Sequence, residues 1–250
     1  MHKQKIYYYH KLTDDLVESD NQNFSLNDNY QIINQNFPNK IVRTLAGSFA
    51  YLLSYGILHV KVVGKEKLVP YKHKGYFVFA NHTQPINDAF MPLTLLGIQD
   101  YYALASQSNW GIPFIGKYLL PYGGLPVGKD LKQNVSLLKA IKLLIKQNKH
   151  IVIYPEAHVW PYYTKIRPFP TTSMNFPVTF KTPSFTMTTT YQKRKHSTKP
   201  KIIVYIDGPF FTDEKLPKKQ QQMQLHEKIY QQLKQRAATS NCSLYHYQKK

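Results

Sequence analysis

The chain has 250 residues, which suits one large domain or one with an appendage, and its 42% hydrophobic content excludes wholesale disorder. A formal net charge of +19, from 33 Lys and Arg against 14 Asp and Glu, implies a polyanionic partner: nucleic acid, an anionic membrane surface or a phosphorylated substrate. The lone cysteine, Cys242, excludes an intramolecular disulfide and argues against a cysteine zinc site.

The opening, MHKQKIYYYHKLTDD, has no apolar run of the kind a secretory signal needs. Residues 1–40 read as a polar arm, rich in Asn, Asp and Gln from residue 10 onward and expected to drape over the domain. Within 41–62, the stretch TLAGSFAYLLSYGILHV (44–60) carries no Lys, Arg, Asp or Glu and is flanked by Lys40, Arg43 and Lys61. It falls short of the about 20 apolar residues a spanning helix needs, so it fits either a helix lying in one leaflet or a buried core helix. The 20 tyrosines suit a membrane interface equally with a plain composition bias.

From residue 63 to 237 strand and helix signals alternate. GYFVFA (75–80), DYYALA (100–105), HIVIYPE (150–156) and KIIVYID (201–207) read as strands. Residues 131–150 read as an amphipathic helix with Leu131, Val135, Leu138, Ile141 and Ile145 on its apolar face, and 217–237 as a terminal helix with a stripe including Met223, Ile229 and Leu233. Residues 238–250 read as a loose tail. The alternation predicts an α/β fold, a mainly parallel central sheet flanked by helices, whose sites lie at the carboxyl ends of the strands.

Polar clusters stand at those ends. After the first strand comes NHTQPIND, in which Asn81 and His82 precede Asp88. A neutral imidazole can take a proton from an alcohol near neutral pH, and an acceptor on its other nitrogen fixes the tautomer. Pro85 suits the first turn of a helix, so Asp88 could point back at the ring. A turn histidine and a helix-start aspartate with no joint role would give the same residues. GGLPVGK (123–129) offers Gly123 and Lys129, and IYPEAHVWPYYTKIRPF (153–169) offers Glu156, His158, Lys165 and Arg167. Together they could activate a hydroxyl on an anionic substrate; separately they could be solvated or capping residues. There is no P-loop, CxxC pair, HExxH or GxSxG.

The order of the blocks resembles the glycerolipid acyltransferases, in particular the lysophosphatidate acyltransferases, over roughly residues 40 to 210. Their Asn-His-x4-Asp is similar to NHTQPIND, here with five intervening residues; their Gly-x-Ile-Phe-Ile-x-Arg is similar to GGLPVGK, with Lys129 in the arginine's place; their Phe-Pro-Glu-Gly-Thr-Arg is similar to residues 154–159. A fourth, apolar block with a proline corresponds to Thr182-Pro183. Val159 stands where the third block has arginine, and the longer first block leaves Asn87 as a rival to Asp88. A carboxylate stabilises an imidazolium and an amide does not, which favours Asp88.

The resemblance implies a glycerol-3-phosphate acyltransferase-like fold with an N-terminal membrane-associated helical segment, on the cytoplasmic face of the membrane as a peripheral or monotopic protein. It implies acyl transfer from acyl-CoA or acyl carrier protein to a lysophospholipid hydroxyl, with no cofactor and no metal. His82 would be the base and Asp88 its partner. Asn81, Gly123, Lys129, Glu156, His158, Lys165 and Arg167 would line the substrate site. Membrane lipids are the expected partners, and nucleic acid is not. Rival readings are a different lipid or glycan acceptor, a hydrolase using the same histidine, and a basic lipid- or nucleic-acid-binding protein without catalysis.

Overall fold

The computed structural model describes residues 5–17, 23–27, 30–33, 37–114, 116–195 and 197–250. The remainder of the expected arm (1–4, 18–22, 28–29 and 34–36) lies outside the described residues. Seven strands form the main sheet in the order β2 (Lys61–Val63), β8 (Ser197–Phe210), β7 (Ser184–Arg194), β3 (Tyr76–Ala80), β6 (His150–Ile153), β4 (Tyr101–Ala105) and β5 (Gly124–Pro126). The run from β7 to β5 is parallel, and β8 is antiparallel to β7. The expected mainly parallel sheet is therefore present. Its end beyond β3 is a long hairpin entered by a threonine-rich strand that the apolar pattern did not signal, with Thr182-Pro183 leading into it.

The sheet is buried on both faces. Along β3, Tyr76, Val78 and Ala80 join one core and Phe77 and Phe79 the other, the two-residue alternation of a pleated strand. On the first face lie α1 (Phe37–Tyr51) and α2 (Asn87–Leu96). On the second lie α4 (Leu131–Lys146), α5 (Asn175–Phe180) and α6 (Lys218–Ala237). The short α3 (Gly116–Tyr122) packs on α1 at the β5 side. Asp130 starts α4 by accepting the Gln133 amide at 2.8 Å.

Two helix stripes differ from expectation. In α4 the buried residues are Leu137, Ala140, Ile141 and Leu144, while Leu131 and Val135 face solvent. In α6 they are Leu225, Ile229, Leu233 and Ala237, while Met223 is exposed. In each helix the apolar residues outnumber the positions that the sheet can cover, and tertiary contact selects among them.

The segment 44–60 continues α1 into a π-helix, Leu52–Ile57. Among the described residues no helix is long and apolar enough to cross a membrane. Arg43 is not a flanking surface cation. It is 5% exposed, donates to the carbonyls of Pro121 (3.0 Å), Ile98 (3.3 Å) and Tyr101 (2.9 Å), and lies over the Tyr102 ring. It ties the middle of α1 to the amino edge of the sheet.

The tail is not loose. After α6, Asn241 and Ser240 bond Tyr191 of β7, and β9 (His246–Lys249) pairs in parallel with β1 (Ile6–Tyr9). Tyr247 stacks on Trp160 with rings 1° from parallel and donates to the Pro161 carbonyl at 2.5 Å. Several tyrosines thus fasten both termini onto the segment that follows β6.

At the opposite, amino edge, His150 stacks on Tyr76 at 3.9 Å, is 2% exposed, and its Nδ1 has no partner among the described residues. Burial pushes its pKa down to about 4, with Asp100 opposing and Lys149 assisting. An unfolded histidine takes up its proton near pH 6.5, so stability present above that pH is lost as pH falls to about 4, by an amount on the order of 3 kcal/mol. Denaturant titrations across this window should show His150→Phe with a flatter profile than the wild type; identical slopes would rule the histidine out as the cause.

Candidate active site

The site is built where β3 stops. Asn81, 2% exposed, uses its whole side chain on β7: Nδ2 donates to the Thr189 carbonyl (3.0 Å) and Oδ1 accepts the Thr189 amide (2.8 Å). Thr83 Oγ1 and Gln84 Nε2 bond the Tyr191 hydroxyl at 2.6 and 2.7 Å. Asn81 is therefore a clasp that holds the turn against β7, and its expected contact with substrate is corrected.

The turn sets His82 against Asp88. One oxygen, Asp88 Oδ2, accepts the amides of Thr83 and Gln84 and meets His82 Nδ1, each at 2.8 Å. An oxygen already receiving two N–H groups requires the ring nitrogen to donate, so the neutral ring carries its proton on Nδ1 and a lone pair on Nε2. Nε2 has no bonded partner among the described residues. The His82 side chain is 25% exposed and that of Asp88 only 4%. Asn87 points elsewhere, accepting the Ser54 hydroxyl at 2.9 Å from the π-helix. The extra residue of the first block is absorbed before α2, which begins at Asn87 rather than at Pro85.

Tyr154, which the sequence did not single out, completes the mounting. Its ring stacks on His82 at 4.5 Å, and its hydroxyl donates to the Asp88 carbonyl at 2.5 Å. Burial pushes this phenol far above its ordinary pKa, so it acts as a donor. Its place immediately before Pro155-Glu156 was the available signal. Tyr191 offered none, because its role depends on the pairing of β7 with the turn.

The Glu156 carboxylate is buried beside His82. It accepts the Arg167 amide at 2.9 Å and the His82 amide at 3.4 Å, and pairs with Arg167 Nη2 at 3.2 Å. Burial raises the carboxyl's pKa and lowers that of the guanidinium, each opposed by the partner's charge. Arg167 is 1% exposed, lies over Trp160 and also donates to the His158 carbonyl. The loop runs on beside the turn, with the Trp160 and Tyr162 amides bonding the carbonyls of His82 and Thr83 at 3.0 and 2.8 Å. Ala157 takes φ +64°, a left-handed conformation that suits the glycine of the resembled block and costs an alanine about 1 kcal/mol. Glu156 and Arg167 thus shape the loop, whereas both were expected to contact substrate.

His158 meets Asp15 Oδ2 at 3.1 Å, Lys129 donates to the Phe24 carbonyl at 2.8 Å, and Lys165 is exposed. Lys129 and His158 follow the carboxyl ends of β5 and β6, on the edge that carries His82. Gly123 does not. It precedes β5 at the amino edge, with φ +112°, and an added Cβ would lie 2.7 Å from the Tyr101 carbonyl. Its requirement is backbone space, which corrects the expected binding role. No group of three or more potential metal ligands occurs among the described residues.

Removing one member of the Glu156–Arg167 pair strands a buried charge. Arg167→Met should cost about 3–5 kcal/mol in denaturant unfolding, and Glu156→Gln combined with Arg167→Met should regain part of that. Equal losses in the single and double variants would show that the stranded charge is not the cause.

The Acyltransferase family model matches residues 59–205, which include the turn, the β5 segment and the loop after β6. Among solved structures, the crystal structure of the 1-acyl-sn-glycerophosphate (LPA) acyltransferase PlsC from Thermotoga maritima has the same fold. It matches at a TM-score of 0.55 and 18% identity, covering 82% of this chain and 83% of that one. No curated protein matches the chain. With the family match spanning more than half of its length, and the blocks carried on a fold shared with PlsC, this chain belongs to the acyltransferase family.

Proposed function

We propose that the protein moves a fatty acyl group from the thioester of acyl-CoA or acyl carrier protein to the free hydroxyl of a lysophospholipid, with lysophosphatidate the first candidate and phosphatidate the product. The observation that carries this reading is the His82–Asp88 pair, in which Nδ1 is held and Nε2 is left open at the sheet's carboxyl edge. Nε2 takes the hydroxyl proton as the oxygen attacks the thioester carbonyl. The tetrahedral intermediate then expels the thiolate, which receives the proton back from the ring. Asp88 stabilises the imidazolium between these steps. Lys129 and Lys165 supply the charge that would position an anionic head group, His158 offers it a ring nitrogen, and Tyr154 keeps the His82 ring in plane.

We further propose that the carboxyl edge faces the cytoplasmic leaflet of a membrane. Ser54 holds the π-helix, which carries the exposed Leu52 (59%) and Ile57 (60%), against Asn87 at the start of α2, next in sequence to the exposed Ile86 (63%) of the catalytic turn. The β7–β8 hairpin continues past the end of β3 for about 20 Å. It carries Lys193, Lys195, Lys199 and Lys201, all exposed, toward the same side. Apolar side chains ringed by cations suit an anionic bilayer better than a nucleic acid.

Purified protein given labelled acyl donor and a panel of lysophospholipids should form diacyl product. His82→Ala should lower kcat by about 10²–10⁴-fold with the circular dichroism unchanged, and Asp88→Asn should fall well below Asn87→Ala. Wild-type turnover in His82→Ala would end the mechanism.

In a sedimentation assay with phosphatidylglycerol-containing vesicles, Leu52→Ser with Ile57→Ser should weaken binding by about tenfold or more. Undiminished binding would move the docking face elsewhere.

A further inference from the structure

Pro92 stands inside α2, four residues after Asp88. In a regular helix the Asp88 carbonyl would receive the amide of residue 92. Proline has no N–H, and its ring crowds the carbonyl four residues earlier, so this acceptor loses its helical partner beside the catalytic turn. The Tyr154 hydroxyl, arriving from the end of β6, donates to it at 2.5 Å. The next carbonyl, that of Ala89, receives the hydroxyls of Tyr101 (3.4 Å) and Tyr122. Three phenols, from β4, from α3 and from the end of β6, thus bond the first turn of α2. Asp88 is held at both ends. Its Oδ2 takes the amides of Thr83 and Gln84 and the ring of His82, and its carbonyl takes Tyr154. The ring of the same tyrosine stacks on the imidazole, with centroids 4.5 Å apart and planes 29° apart. One residue therefore bridges the backbone of the acid and the face of the base.

We propose that Pro92 and Tyr154 form a positioning pair for the acid that orients His82: the proline vacates the Asp88 carbonyl and the phenol takes it, so that β6, rather than α2 itself, fixes Asp88 against the ring. This rests on the reading of His82 as the base of acyl transfer. Both residues act through Asp88 and His82 and not on the substrate. Sliding of the first turn along the axis of α2 would lengthen all three bonds to Oδ2 at once, and the bond on the carbonyl opposes that movement from the same side chain that carries the stack. The chain departs here from the block it resembles, which has phenylalanine where Tyr154 stands. A phenylalanine would keep the stack and lose the hydrogen bond, and an amide at residue 92 would make that hydrogen bond unnecessary. A purely structural role asks only that a buried carbonyl be satisfied, and for that the bonds to Ala89 would serve as well as the bond to Asp88.

The test is steady-state acyl transfer to lysophosphatidate by the full chain, with urea unfolding of the same variants. Tyr154→Phe should lower kcat by about tenfold while KM for both substrates stays within about twofold. Adding Pro92→Ala to it should restore most of that loss, because the new amide can take the Asp88 carbonyl. Tyr122→Phe is the control: it removes the same kind of bond one residue along, and should lower the urea midpoint and leave kcat unchanged. Wild-type kcat in Tyr154→Phe, or a double variant no faster than the single, overturns the proposal. An equal fall in kcat for Tyr122→Phe also overturns it, since the three phenols would then be general support for α2. Unfolding reads the pair without turnover: Tyr154→Phe should lower the midpoint less in the Pro92→Ala background than in the wild type, and additive losses overturn the pair. Absence of acyl transfer to every acceptor by the wild type would instead refute the proposed function, and the unfolding cycle would then decide by itself whether the hydroxyl stands in for the missing amide.

Discussion

One carboxylate oxygen organises the site. Asp88 Oδ2 accepts two backbone amides of the turn and the ring of His82, so the same atom that shapes the turn also orients the base. The five residues between His82 and Asp88 form a loop whose amides need acceptors once they leave β3, and a buried acid at the start of α2 supplies one. Orientation of the imidazole is then a by-product of closing the turn. This is also why Asn87 cannot substitute: its side chain is committed to Ser54, on the other side of the helix start.

Around this atom the surrounding elements remove freedom from different directions. β7 clamps the turn through Asn81 and Tyr191, β6 stacks Tyr154 on the ring, and the loop after β6 bonds the turn's carbonyls. The Glu156–Arg167 pair sits behind that loop with both side chains almost wholly buried. A buried ion pair is weak evidence for net stability, since desolvation offsets most of the attraction, but it fixes a loop with high selectivity because each wrong arrangement strands a charge. The role of these two residues is therefore read best as setting the path of the chain past His82.

The charge distribution gives the molecule two sides of a single logic. Most of the chain is basic, whereas Asp14 and Asp15 stand beside the loop after β6, where Asp15 meets His158. A terminal sheet of β1 and β9, cemented by tyrosine and tryptophan rings, lies against the same loop. The abundance of tyrosine thus has at least one structural use besides the membrane interface that composition alone suggested.

The strands β3, β4 and β6, the helices α4 and α6, and the residues that gather at the carboxyl edge were legible in the chain, because apolar runs and helical spacing are local and because polar residues after a buried strand have few places to go. The buried faces of α4 and α6 were not, since Leu131 and Met223 are as apolar as the residues that won and only the position of the sheet decides between them. Nor were β7, β1 and β9, whose pairing partners are distant in sequence. The same limit applies to roles. Composition and order were enough to bring His82, an acid and several cations to one edge. Whether Asn81 touches substrate or β7, whether Arg43 meets lipid or three carbonyls, and whether Gly123 lies at the site or at the far edge depended on contacts between segments tens of residues apart, and those exist only once the chain has closed on itself.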